Sequence, residues 1–166
     1  MSVALPSLRA VDHERARRAL DLFERRGDVE PIEGDVAAAA WVCLDRAKAR
    51  GTAAALLVDA GLWDPAFTSA YDAYRSAADA VVLCLGYRVP AVAGAHRISC
   101  DIAAATVGAG PGPFSPASAE RFRRERHTSE YFDPEHPVEK VEADARWALD
   151  LAGRALVVVE SALSAG

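Results

Sequence analysis

The chain has 166 residues, of which 51% are hydrophobic and 26% are charged, and this composition excludes an intrinsically disordered protein. A formal net charge of −5 argues against a broad nucleic-acid-binding surface, which would be basic, but it permits one local basic patch. The start of the chain lacks a signal-peptide pattern, and the longest uncharged apolar run, 52–58, is too short to span a bilayer. The sequence therefore predicts one cytoplasmic domain over residues 1–166, without membrane association.

The first two predicted helices are separated by a polar linker that contains Pro and Gly. Apolar residues recur at helical spacing over 12–26, with Asp12 as the predicted N-cap, and again over 36–60. Gly51 interrupts the second of these helices, and a glycine at such a position can kink or split it.

The third predicted helix, 65–85, has the clearest pattern in the chain. Asp64 is its predicted N-cap, and Pro65 takes the favoured position in the first turn. Its apolar positions advance by four, three, four, three and four residues, which places them on one face of a helix. These positions are Phe67, Tyr71, Tyr74, Ala78, Val81 and Leu85. The pattern predicts the central helix of the fold.

Three further helices are predicted over 95–107, 115–133 and 138–164, with Ser115 or Ser118 as the N-cap of the second of them. No segment alternates between apolar and polar residues as a strand does. The sequence therefore predicts an all-α, up-and-down helical bundle. Four to five core helices would cover about 36–164, and an additional N-terminal helix would lie within residues 1–30.

The three cysteines, Cys43, Cys84 and Cys100, lie far apart in predicted helices. An odd number of cysteines without Cys-x-x-Cys spacing indicates neither a disulfide framework nor a zinc site. We therefore expect three reduced, buried thiols and no metal centre.

One stretch, RFRRERHTSEY, departs from the acidic average of the chain. On a helix, Arg123, His127 and Tyr131 fall at i, i+4 and i+8, and Arg126 and Glu130 form a neighbouring i, i+4 pair. Arginine binds phosphate with two parallel hydrogen bonds, and histidine titrates near neutral pH as an acid or base. From spacing alone, the simpler interpretation of this stretch is a solvent-exposed charged helix face.

The segment LLVDAGLWDPAFTSAYDAYRSAADAVVLCLGYRV and the later ERFRRERHTSEYFD resemble the HEPN family (higher eukaryotes and prokaryotes nucleotide-binding). In that family a helix ends at a small turn, the next helix carries spaced tyrosines and alanines, and a second motif precedes a long final helix. The similarity covers roughly 36–164. It implies a homodimer that binds RNA or a nucleotide without a cofactor. It also implies a toxin–antitoxin or RNA-processing system with a small nucleotidyltransferase as partner.

The family motif is an Arg, a polar residue, a few further residues and then a His. In members that are metal-independent ribonucleases, this Arg and His meet across a dimer, and the RNA 2′-hydroxyl attacks its own phosphate. The best alignment places Arg126 at the Arg, His127 at the polar position and Tyr131 where the His is expected. A looser alignment pairs Arg121 with His127, which face different ways on a helix. Tyrosine replaces histidine as a base only with a large pKa change.

The catalytic candidates are therefore Arg126, His127 and Tyr131. The predicted ligand-binding residues are Arg121, Arg123, Arg124, Glu130 and His96. His96 is included because it can line the same groove, although a structural role is the more common one for such a histidine.

Three functions follow from these patterns. The leading one is binding of RNA or a nucleotide through an arginine-rich groove. The second is an active endoribonuclease, which a motif without its usual His makes less favourable. The third is a helical interaction module without chemistry, which would use the broad apolar face of the last helix, including Trp147, Leu149 and Val158.

Overall fold

Stretches rich in alanine, with apolar residues at helical spacing, fold as helices along the chain. The computed structural model describes residues 13–92, 94–107, 112–130 and 133–164. Within these ranges the elements are α1 His13–Arg25, β1 Glu30–Pro31, α2 Val36–Asp59, α3 Trp63–Cys84, β2 Tyr87–Arg88, α4 Ala95–Thr106, α5 Pro116–Glu130 and α6 Glu142–Leu163. The predicted all-α helical bundle is confirmed. None of the helices in these ranges is both long and apolar enough to cross a bilayer.

The central helix is α3, which packs against α2, α4, α5 and α6. Its six predicted apolar positions are all buried, with at most 8% of any of them exposed. The helix begins at Trp63, so the prediction of Asp64 as its N-cap was wrong. Asp64 lies in the first turn, and its carboxylate accepts a hydrogen bond from the Lys140 backbone N–H at 3.4 Å. This contact ties the start of α3 to the segment before α6.

Phe122 of α5 is fully buried at the centre of an aromatic cluster. Its ring centroid lies 5.2 Å from those of Phe67, Tyr71 and Trp147 and 5.1 Å from that of Tyr74. Aromatic pairs at this separation bury large apolar areas and prefer the edge-to-face arrangement seen in three of these contacts. The cluster therefore holds α5 against α3 and α6.

The second helix, α2, runs through Gly51 without a break, so the glycine does not split it. A Cβ at Gly51 would lie 3.1 Å from Leu156 Cδ1 of α6, and its absence allows α2 and α6 to approach closely. Asp35 is the N-cap of α2, and its carboxylate accepts a hydrogen bond from the Ala38 N–H at 2.9 Å. The glycine thus has a packing role in this part of the bundle.

A two-stranded antiparallel sheet joins the linker after α1 to the turn after α3, which the sequence did not predict. Glu30 lies opposite Arg88, and their side chains form an ion pair at 2.8 Å between Oε2 and Nη2. Each strand has two residues, and a segment of this length is too short to show strand alternation. Two strands of two residues each leave the all-α class of the fold unchanged.

The last two helices are shorter than predicted. Ser115 is the N-cap of α5, since its hydroxyl accepts a hydrogen bond from the Ser118 N–H at 3.3 Å. The last helix begins at Glu142 instead of 138, and in the segment before it Lys140 is buried and donates its backbone N–H to Asp64. The Lys140 ammonium lies 4.4 Å from the Phe67 ring centroid.

The three cysteines are free, as predicted. Cys84 and Cys100 are buried, whereas Cys43 is only partly buried, and its thiol donates a hydrogen bond to the Ser76 carbonyl at 3.3 Å. Burial raises the pKa of Cys43 to about 11 and that of Cys100 to about 12. Both are therefore neutral thiols at neutral pH and poor nucleophiles.

The apolar face predicted for the last helix is used largely inside the domain. Trp147 packs against Phe122 and stacks on Phe67 with ring centroids 6.4 Å apart. Leu149 packs against both hydrophobic clusters, and Val158 is half-buried. These contacts leave Trp147 unsuited to the exposed working surface expected for an interaction module.

Candidate functional site

A groove of about 500 Å³ lies between α3, the start of α4 and α5. From α3 it is lined by Tyr71, Asp72 and Arg75, and from α4 by His96 and Arg97. We call this cavity the arginine groove. Tyr71 belongs to the buried face of α3 and is 8% exposed, so its ring forms the floor.

The opposite wall of the groove consists of Arg123, Arg126 and His127 of α5. Their spacing of i, i+3 and i+4 places them on one side of the helix. Arg123 donates three hydrogen bonds to Glu120, the shortest of them 2.8 Å between Nη2 and Oε1. The Arg126 guanidinium carbon lies 6.0 Å from the Tyr71 ring centroid, at the limit of a cation–π contact. Two of the three predicted catalytic residues thus share one groove.

Two other predicted site residues, Arg121 and Arg124, lie outside the groove. Arg121 projects about 160° away from Arg123 around the helix axis. Its guanidinium stacks over Trp147 at 4.0 Å and donates a hydrogen bond to Glu125 at 2.8 Å, so it lies on the side of α6. Arg124 is exposed and outside the lining of the groove. The backbone of Glu130 ends α5, and Tyr131 lies outside the described residues.

Arg75 and His96 form the link between α3 and α4 in the groove. Arg75 Nη1 lies 3.1 Å from Nδ1 and 3.2 Å from Nε2 of the His96 ring. Burial, and then the positive charge of Arg75, lower the pKa of His96 below its ordinary value of 6.5. The imidazole is therefore neutral at neutral pH, and a lone pair of its ring accepts a hydrogen bond from the Arg75 guanidinium.

Sequence reasoning missed Arg75 and Asp72 as site residues. A signal was present, because Asp72, Arg75 and Asp79 repeat at i, i+3 and i+7 on a helix whose other faces are buried. A charged stripe on a central helix must face a cleft or pair with neighbours. Here Arg75 faces the groove, and Asp79 accepts a 2.6 Å hydrogen bond from the Ser99 hydroxyl of α4.

The phenol of Tyr71 is neutral in this site and can donate a hydrogen bond. Burial raises the pKa of its phenol to about 12, and the edge of its ring meets the His96 ring with centroids 6.5 Å apart. The groove therefore combines guanidinium groups, a neutral imidazole and a protonated phenol. Such a set binds an anion and can move a proton.

A histidine NMR titration is expected to place the midpoint of His96 below pH 6.5. Because folding lowers the pKa of His96, the neutral imidazole contributes in full to the stability of the fold above pH 6.5. This contribution is lost as the pH falls through the folded-state pKa of His96. Arg75→Ala should move the midpoint upward, since it removes the second-largest cause of the shift. Arg154→Ala, an exposed change on α6, should leave it unchanged. A midpoint above 6.5 in the unmodified protein would contradict this assignment.

Comparison of the chain with protein-family models, with curated proteins and with solved structures found no match in any of the three. Among the described residues, no group of three or more His, Cys, Asp or Glu side chains is placed to hold a metal ion. The function of the groove must therefore be argued from its own geometry and charge.

Proposed function

We propose that this protein binds RNA or a nucleotide in the arginine groove through its phosphate groups. The observation that carries this proposal is the convergence of four arginines in one cleft of a chain whose net charge is −5. They are Arg75, Arg97, Arg123 and Arg126, and the one acidic residue among the described lining residues is Asp72. Guanidinium groups match phosphate oxygens with two parallel hydrogen bonds, and a cleft concentrates their field.

The ion pairs already present at the groove do not prevent such binding. Arg123 pairs with Glu120, and Arg97 lies 3.6 Å from Asp101. Exposed pairs of this kind contribute only about 0–1 kcal/mol. A phosphate can therefore share or replace the carboxylate, while helix-borne side chains remain close to their binding positions.

The HEPN-like pattern around Arg126 supports an RNA or nucleotide ligand over a simple anion. It also extends the proposal to a homodimer in a toxin–antitoxin or RNA-processing system, with a small nucleotidyltransferase as partner. These extensions rest on the sequence pattern, whereas the phosphate site rests on the groove.

Titration of labelled single-stranded RNA and of a fluorescent nucleotide with purified protein tests the proposal. We expect saturable binding that weakens as the salt concentration rises, because arginine–phosphate contacts release counterions. Absence of binding at low salt, or binding that is independent of salt, would contradict it.

Ribonuclease activity is a second candidate, favoured by the two histidines that line the same groove. His96 extends from α4 and His127 from α5, with Arg126 beside His127. One imidazole would take the proton of the RNA 2′-hydroxyl, whose oxygen attacks the adjacent phosphorus. The second would donate a proton to the departing 5′-oxygen. The products are a 2′,3′-cyclic phosphate and a 5′-hydroxyl, and the arginine would stabilise the transition-state charge.

Cleavage of labelled RNA in EDTA separates this candidate from binding alone. A ribonuclease should leave cyclic phosphate ends, and His127→Ala/Tyr131→Phe should abolish the cleavage. His136→Ala provides a control, since His136 is exposed in the loop before α6. Binding without cleavage by the unmodified protein would exclude the ribonuclease and retain the binding function.

A further inference from the structure

We propose that the occupant of the groove is a nucleotide unit whose base enters an adjoining apolar cavity. This inference rests on the proposed phosphate binding and specifies the class of ligand. A cavity of about 570 Å³ opens beside the arginine groove, and the two share Tyr71, His96, Arg97 and Arg123 as lining residues. Both volumes lie in the range of about 300–1,000 Å³ that is usual for small-molecule sites. We call the second cavity the base compartment.

The inner lining of the base compartment is apolar and small. Its floor is formed by Tyr71 and Tyr74, which are nearly buried, together with the neutral thiol of Cys100. Its outer wall is the first turn of α5, where Pro116 and Ala117 are exposed and short. The Tyr74 hydroxyl donates a hydrogen bond to the Pro113 carbonyl at 3.0 Å and fixes the chain that leads into this wall. A flat apolar group fits between the ring floor and these short side chains.

The rim of the base compartment is polar, which favours a nucleobase over an alkyl chain. Asp101 of α4 and Glu120 of α5 supply carboxylate acceptors, and Arg97 and Arg123 supply donors. The edges of nucleobases carry both amino donors and ring or carbonyl acceptors, which can satisfy both kinds of group. Arg97 pairs with Asp101 and Arg123 with Glu120, and an alkyl chain would remove the remaining polar atoms of these groups from water without new hydrogen bonds, which is unfavourable.

The different linings of the two cavities determine which end of the ligand enters each cavity. Of these two cavities, the groove alone is lined by Arg75, Arg126 and His127. The base compartment alone is lined by Pro116 and Ala117. The ligand must therefore be apolar and flat at one end and anionic at the other. A nucleotide has this order, with the ribose placed at the junction.

Calorimetric titration with ADP, GDP, CDP, UDP and pyrophosphate tests the inference. We expect at least one nucleoside diphosphate to bind about tenfold more tightly than pyrophosphate, since a stacked base contributes this much affinity. Ala117→Trp should fill the base compartment, reduce the affinity of that nucleotide to the pyrophosphate value and leave pyrophosphate binding unchanged. Ala37→Trp is the matched control, because Ala37 is an exposed alanine in the first turn of α2.

Each outcome has a separate meaning. If all four nucleotides bind no more tightly than pyrophosphate, the base compartment is overturned and the phosphate function remains. If a nucleotide preference survives in a folded Ala117→Trp protein, the base lies elsewhere and the inference is equally overturned. If neither pyrophosphate nor any nucleotide binds, the proposed phosphate function is lost as well.

Discussion

Replacing Arg126 with alanine is expected to weaken RNA binding by about tenfold to a hundredfold. A hydrogen bond to a charged group contributes about 1.5–3 kcal/mol, and 1.4 kcal/mol corresponds to a factor of ten. Arg126 is half-buried, lines the arginine groove and faces the Tyr71 ring. Fluorescence anisotropy with labelled single-stranded RNA measures the change.

Arg124→Ala is the matched control for this experiment. It removes the same charge from the same helix, but Arg124 is exposed and lies about 100° from Arg123 around the axis, outside the groove lining. Its effect on binding should be less than twofold, as is expected for a distant exposed charge in physiological salt. Equal losses in the two variants would mean that net charge, and not the groove, determines binding.

Arg126→Lys adds a second comparison. Lysine retains the positive charge but lacks the planar fork, so we expect an affinity between those of the unmodified protein and Arg126→Ala. Thermal unfolding of each variant verifies that the fold is retained. If both substitutions leave RNA binding unchanged while the fold is intact, the arginine groove is not the binding site.

Phe122→Ala is expected to lower the free energy of unfolding by about 3–5 kcal/mol, the usual cost of deleting a buried aromatic ring. Phe122 is fully buried, and four aromatic rings surround it within 5.2 Å between centroids. Because natural domains have a total stability of only about 5–15 kcal/mol, this loss would be a large share. Urea unfolding followed by circular dichroism measures it.

Phe23→Ala gives the comparison for Phe122→Ala. Phe23 lies on α1 and is only partly buried against the main core, so less apolar area is lost and a smaller change is expected. Phe122→Leu should lower the free energy of unfolding less than Phe122→Ala does, because leucine retains part of the buried volume. A similar loss for Phe122→Ala and Phe23→Ala would contradict the central position of the aromatic cluster.

Several features of this protein follow from its sequence alone. The apolar spacing from Phe67 to Leu85 predicted the buried face of α3, because one turn of helix brings every third or fourth side chain to the same side. Ser115 was one of two predicted N-caps and is the one observed. The placement of Arg123 and His127 on one face of α5 was also predictable, since it depends on the same local geometry.

Other features depended on contacts between residues far apart in the chain. Lys140 is buried against Phe67 and Glu125 in the segment before α6, which begins about one turn later than predicted. Arg121 stacks on Trp147, although it belongs to the same arginine-rich stretch as the groove residues Arg123 and Arg126. Helix geometry places Arg121 about 160° from Arg123, but neither its Trp147 partner nor the contacts of Lys140 have a signature in local spacing.

The sequence by itself determined the helices, the buried face of α3 and the basic stripe of α5, because each depends on interactions within a few residues. Only the tertiary structure decided that the stripe faces Arg75 and His96, which belong to α3 and α4. The physical reason is the packing of Phe122 among rings from α3 and α6, which fixes the rotation of α5 about its own axis. The order of residues along the helix decides which arginines share a face, and the rotation decides that this face lines the groove.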